Sequence, residues 1–155
     1  METIEEKIKN LGINLTKESP PVANFVSAVT SGNLVFLSGQ GPMKEDGSYM
    51  YGKLGGEINV DEGYEAARLV GIQLLSALKN HIGDLNKVEK IVKVLGMVNA
   101  ESNFANHPKV INGCSDLLVE IFGEKGKHAR SAVGMGSLPF QIPVEIEMIV
   151  QVKQS

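Results

Sequence analysis

Tryptophan is absent from this 155-residue chain, aromatic residues make up 5% of it, and there is one cysteine, Cys114. A lone thiol closes no internal disulfide, so the fold is not a stapled scaffold and suits a reducing compartment. Long hydrophobic runs are missing too: no stretch approaches the roughly 18 apolar residues that span a bilayer. The opening METIEEKIKN is charged and helix-like, without the apolar centre and small-residue cleavage site of a secretory signal. Together these absences predict a cytoplasmic protein with no membrane attachment.

An excess of positive charge is also lacking. The net charge is −3 and the pI near 5.6, whereas binding to phosphate backbones depends on clustered cations. Nucleic acid is therefore not expected as a partner. His81, His107 and His128 lie far apart, and no cysteine joins them at ligand spacing, so the sequence predicts no metal site. The glycines at 39, 41, 52, 55 and 56 lack the Lys-Ser or Lys-Thr ending of a phosphate loop. No cofactor is expected.

What is present describes an ordinary globular chain, 43% hydrophobic and 21% charged. Its length fits one domain over residues 1–155, with residues 1–12 as an N-terminal helical extension stopped at Gly12 and packed on the outside. Adjacent Pro20 and Pro21 dictate an extended or turned segment. FVSAVTSGNLVFLSGQ reads as two strands around a turn at Ser31, Gly32 and Asn33, and the glycine-rich stretch after it as loop. From Asn59 onward, Ala67, Val70, Gly71, Leu74, Leu75, Leu78 and Ile82 recur at spacings of three and four. That is a long one-sided helix, with Asn59 or Asp61 as its cap and Gly83 as its stop.

Lys87 to Ala100 reads as a strand, with Gly96 at a bend or bulge. Val110, Ile111, Cys114, Leu117, Leu118, Ile121 and Phe122 stripe a second helix between Pro108 and Gly123. Ser131–Met135 and Val144–Val152 complete the strands. The order helix, β-β, helix, β, helix, β-β predicts an α+β sandwich: a mixed β-sheet of about five or six strands with two long helices packed on one face.

Several residues stand out against this frame. Cys114 lies in the apolar stripe of the second helix, where a core thiol is the simplest account. Arg130 sits among small and apolar neighbours, Ala129, Ser131, Ala132, Val133 and Gly134. It is either a surface loop arginine or a fork of donors in a half-buried niche, suited to a carboxylate or phosphate. Glu145 and Glu147, two apart in an apolar strand, share the face opposite Val144, Ile146 and Met148, either solvated or as part of a site. Ser38-Gly39-Gln40 ends a buried strand, where backbone groups can meet a ligand.

Three segments carry a family resemblance: NLVFLSGQGP, the ARS at 129–131 followed by Leu138-Pro139, and the terminal VEIEMIV. With them the chain resembles the RidA/YjgF proteins, also labelled endoribonuclease L-PSP, over nearly all its length after the N-terminal helix. The resemblance implies a chorismate-mutase-like α+β fold and a homotrimer with clefts between subunits. It also implies an enamine/imine deaminase, which hydrolyses reactive 2-imino or 2-enamino acids to 2-keto acids and ammonia without a cofactor. On that resemblance Arg130 grips the substrate carboxylate and Glu145 positions the attacking water, leaving Glu147 as a structural or solvated neighbour. Ser38 and Gly39 match the strand end lining the cleft, and Asn112 matches a cleft asparagine if one residue is inserted before Arg130.

Phe25 stands where the archetypal branch has a tyrosine, and Ala132 where it often has a cysteine; both mark a distinct branch. These departures keep a second reading open, a non-catalytic module that binds a keto acid or similar carboxylate. A third, an endoribonuclease, has only the family label in its favour.

Overall fold

The computed structural model describes residues 1–16 and 25–154, so the expectation for Pro20 and Pro21 falls outside the described residues. Within them the chain runs α1 (Ile4–Asn10), β1 (Ala28–Ser31), β2 (Leu34–Gln40), α2 (Val60–Ile82), β3 (Val88–Asn99), α3 (His107–Phe122), β4 (Ala129–Met135) and β5 (Val144–Val152). The expected alternation of elements and the α+β layering are both observed. The sheet has five strands in the order β1-β2-β5-β3-β4. Every neighbouring pair is antiparallel except β3 and β4, which α3 joins as a parallel crossover.

Strand alternation sorts the side chains into two faces. Val94, Val98, Val144, Ile146, Met148 and Val150 are buried beneath α2 and α3. Their neighbours Leu95, Met97, Glu145, Glu147 and Ile149 point the other way, toward a face that, among the described residues, no helix covers.

Local chemistry explains the helix limits. The Asn59 side chain accepts from Glu62 N at 2.8 Å, and the Glu62 carboxylate accepts from Asn59 N at 3.0 Å, a reciprocal cap that starts α2. Gly83, at φ 84°, ends it. Pro108 occupies the first turn of α3, where a missing N–H costs nothing, and Gly123 ends that helix.

The two long helices approach closely because glycines face the contact. A Cβ on Gly71 would lie 3.0 Å from Leu117 of α3, and a Cβ on Gly113 would run into the backbone of Tyr64 in α2. Cys114 is wholly buried in this core, and desolvation pushes its thiol up to about 12, so it stays protonated and inert.

One expectation needs correction. Gly96 marks no bulge: it pairs regularly with Ala132 and Ile146, and the irregular positions in β3 fall at Val88–Lys90 and Ile91–Lys93. Its missing side chain makes room for Ile111 of α3, whose atoms lie 2.6 Å from where a Cβ would stand. Helix α1 packs on the outside, tied to the body through one face. Ile8 is 2% exposed and joins the core, while the Glu5 carboxylate accepts from Leu85 N at 2.6 Å and from the Asn86 amide at 3.1 Å.

Candidate functional site

Arg130 lies on β4, the outer strand, in register with Val94. Since Val94 faces the helices, Arg130 does too, and its guanidinium reaches under α3. There α3 presents Asn112 and Ser115, three residues apart and so on one face of the helix. Arg130 Nη1 donates to Asn112 Oδ1 at 2.8 Å and to Ser115 Oγ at 3.1 Å. The other side of Ser115 meets a histidine: His128 Nε2 lies 2.8 Å from Ser115 Oγ, and His128 Nδ1 lies 2.6 Å from Gly126 O.

A carbonyl only accepts, so Nδ1 carries the hydrogen. Burial first, and the charge of Arg130 after it, hold the His128 pKa below its ordinary value; the bond to Gly126 opposes them. The ring is therefore neutral near pH 7, and Nε2 accepts the Ser115 hydroxyl proton. Ala132, two residues beyond Arg130 on the same strand face, packs half-buried against the core.

Glu145 belongs to a second group. It pairs with Met97 on the uncovered face of the sheet. Diagonally across from it, the pairing of β2 with β5 slips between Leu37 (opposite Met148) and Gln40 (opposite Ile146), so Ser38 and Gly39 bulge out of register. The Glu145 carboxylate occupies the space that a side chain on Gly39 would need. The Ser38 hydroxyl donates to Val26 O at 2.7 Å, which places the exposed Phe25 beside the same bulge. Burial, and then the nearby Glu147, push the Glu145 pKa above the usual carboxylate value, with no hydrogen bond contributing to hold the charged form.

The seven residues identified from sequence thus fall into two groups. Arg130, Asn112 and Ala132 gather on the helix side; Phe25, Ser38, Gly39 and Glu145 gather at the bulge. The register places the Cα atoms of Arg130 and Glu145 about 14 Å apart, from strand spacings of about 4.8 Å and a rise of about 3.3 Å per residue. Their side chains leave opposite faces of the sheet. One chain alone does not bring the two together.

Sequence reasoning missed Ser115 and His128. The available signals were the spacing of Ser115 from Asn112 on the helix and of His128 from Arg130 on the strand. A cavity of about 560 Å³ opens elsewhere, at the far ends of β3 and β4, lined by Lys53, Glu101 and His107 among others. Its lysine is already engaged: Lys53 Nζ donates to Asn99 Oδ1 at 2.8 Å and to Gly136 O at 2.6 Å. Among the described residues no three His, Cys, Asp or Glu side chains cluster as a metal site, and no helix is long and apolar enough to cross a membrane.

A mixed five-stranded sheet under two helices, with an arginine pinned at its outer strand, defines a class that sequence comparison also reaches. Residues 5–149 match the family model described as YjgF/chorismate_mutase-like, a description that also carries the word endoribonuclease. The chain belongs to this RidA/YjgF family. It is 40% identical to Protein TCP17 of Trypanosoma cruzi over 149 residues, covering 96% of this chain and 93% of that protein. It also superposes on the Agrobacterium tumefaciens protein Atu1372, of unknown function, with a TM-score of 0.90 at 39% identity, covering 97% of this chain and 94% of that one. Yeast Mmf1 gives a TM-score of 0.60 at 26% identity, covering 90% of this chain and all of that one.

Proposed function

We propose that the protein is an enamine/imine deaminase acting on 2-imino or 2-enamino acids, at a cleft that two copies of the chain complete within a homotrimer. The observation that supports this reading most is Arg130, half-buried and oriented by Asn112 and Ser115, with donors left over for an incoming carboxylate. Glu145 lies on the other sheet face, so in this reading a second copy supplies it. The uncovered face is apolar enough to be a contact surface, with Val29, Phe36 and Val133 exposed on it. A reducing, cytoplasmic setting suits the buried free thiol of Cys114.

The chemistry follows from the two groups. Arg130 pairs with the substrate carboxylate and fixes the imine carbon. Glu145, whose desolvated carboxylate has raised basicity, takes a proton from water as the water oxygen bonds to that carbon. The C=N electron pair moves to nitrogen, which receives the proton from Glu145. In the carbinolamine the hydroxyl proton follows the same route to nitrogen, the C–N bond breaks, and ammonia leaves as the keto C=O forms. Water is the sole co-reactant.

Arg130→Lys keeps the charge and loses the fork. Ammonia release from 2-iminopropanoate is expected to fall on the order of 100-fold in kcat/KM; unchanged release would sink the assignment. Phe25 and Ala132 favour a second reading, a keto-acid sensor, because each removes a polar side chain that the archetypal branch carries. Calorimetry with 2-ketobutyrate beside the turnover assay separates the two, since binding without turnover supports the sensor. The acidic net charge weighs against the endoribonuclease.

A further inference from the structure

Arginine carries five N–H donors: two on each terminal nitrogen and one on Nε. Both hydrogens of Arg130 Nη1 are taken by acceptors on α3, Asn112 Oδ1 and Ser115 Oγ. Among the described residues no acceptor meets Nε or Nη2. Of the two edges that could offer parallel N–H groups, the one between Nη1 and Nη2 is therefore blocked. The edge between Nε and Nη2 remains.

The acceptor role of Ser115 is not accidental. A hydroxyl can turn its hydrogen toward any neighbour, but here the hydrogen has one good acceptor. His128 Nδ1 gives its hydrogen to Gly126 O, which leaves Nε2 as a lone pair facing Ser115. Ser115 donates to that lone pair and turns its own lone pairs to Arg130. The chain Gly126–His128–Ser115–Arg130 thus has one hydrogen at each link, all pointing in one direction.

We propose that Ser115 and His128 are positioning residues of the carboxylate site: together with Asn112 they lock the Arg130 guanidinium so that a carboxylate is accepted only side-on, across Nε and Nη2. This rests on the reading of Arg130 as the carboxylate grip. It adds that the orientation of the ligand carboxylate is set two residues behind the arginine, by groups that never touch the ligand.

The test uses the full-length protein, nitrogen-resolved NMR of its arginine and histidine side chains, and calorimetry with 2-ketobutyrate. Without ligand, the His128 nitrogens should report the Nδ1–H tautomer, and the Nη1 hydrogens of Arg130 should be resolved through slow rotation. Ser115→Ala should collapse those signals and weaken 2-ketobutyrate about tenfold, while Ser115→Thr, which keeps the hydroxyl, should restore both. Because His128 acts through Ser115, adding His128→Ala to Ser115→Ala should cost nothing more. Unchanged guanidinium signals and affinity in Ser115→Ala would overturn the proposal, as would fully additive effects in the double variant. If the wild-type protein binds no 2-ketobutyrate, the carboxylate reading falls on its own, and the guanidinium signals alone decide whether the relay holds Arg130.

Discussion

The two faces of the sheet treat their functional side chains in opposite ways. On the helix face Arg130 is fixed by named partners, with each hydrogen of Nη1 matched to an acceptor on α3. On the uncovered face Glu145 packs against Gly39, meets no hydrogen-bond donor among the described residues, and is repelled by Glu147. A group whose task is to orient a ligand gains from being rigid, because the geometry is in place before binding. A group whose task is to take and return protons gains from a raised pKa and a coordination shell with room for water. The contrast is what a division of labour between grip and base requires.

The largest expected effect tests that division directly. Glu145→Gln keeps the shape and removes the base, so turnover should fall on the order of 10²–10⁴-fold, the usual range for a lost general base. Affinity for 2-ketobutyrate should change little, because Arg130 supplies the grip on the carboxylate. Steady-state kinetics beside calorimetry would show it; a loss of affinity equal to the loss of turnover would break the comparison.

A pair of glycine substitutions probes the same contrast through stability. Gly113→Ala forces a Cβ into the Tyr64 backbone, which neither helix can yield without separating, and should cost about 3 kcal/mol in urea unfolding. Gly39→Ala meets only the flexible end of the Glu145 side chain. It should cost under about 1 kcal/mol while turnover falls about tenfold, as the carboxylate is pushed from its place. Equal stability losses would mean that the bulge is as tightly determined as the helix contact.

Most of the architecture was legible because its signals are local. Asn59, Gly83, and the spacing of Val70, Leu74 and Leu78 each report on residues one or two turns away. Gly96 was misread because its reason is Ile111, a residue on another element, and no strand pattern records what a helix lays on top of it. The site divided in the same way. Arg130, Asn112 and Glu145 could be named from the family resemblance. The face toward which Arg130 points could not, since Ala129–Met135 is too uniformly small to show an inward and outward alternation. Ser115 and His128 meet Arg130 only once the β3–α3–β4 crossover brings a helix face over an outer strand.

The smallest expected effect is the one whose sign says most about Glu145. Burial first, and Glu147 second, raise its pKa in the fold above the ordinary carboxylate value, so the folded chain binds this proton more tightly than the unfolded one. Below the unfolded value both states are protonated, and the preference for the neutral form is fully present as stability. As pH rises through the raised folded value that stability is lost, because the charged form is held in a half-dry place without a donor. Glu145→Gln stays neutral throughout. Its stability relative to wild type should therefore be near zero at pH 4 and positive at pH 7.5 in parallel urea titrations, a modest gain because the carboxylate is partly in water. Glu147→Gln should recover only the smaller part of that gain, since it leaves the burial in place. A Glu145→Gln variant less stable than wild type at pH 7.5 would instead reveal a donor holding the carboxylate, and the uncovered face would then be as firmly wired as the arginine side.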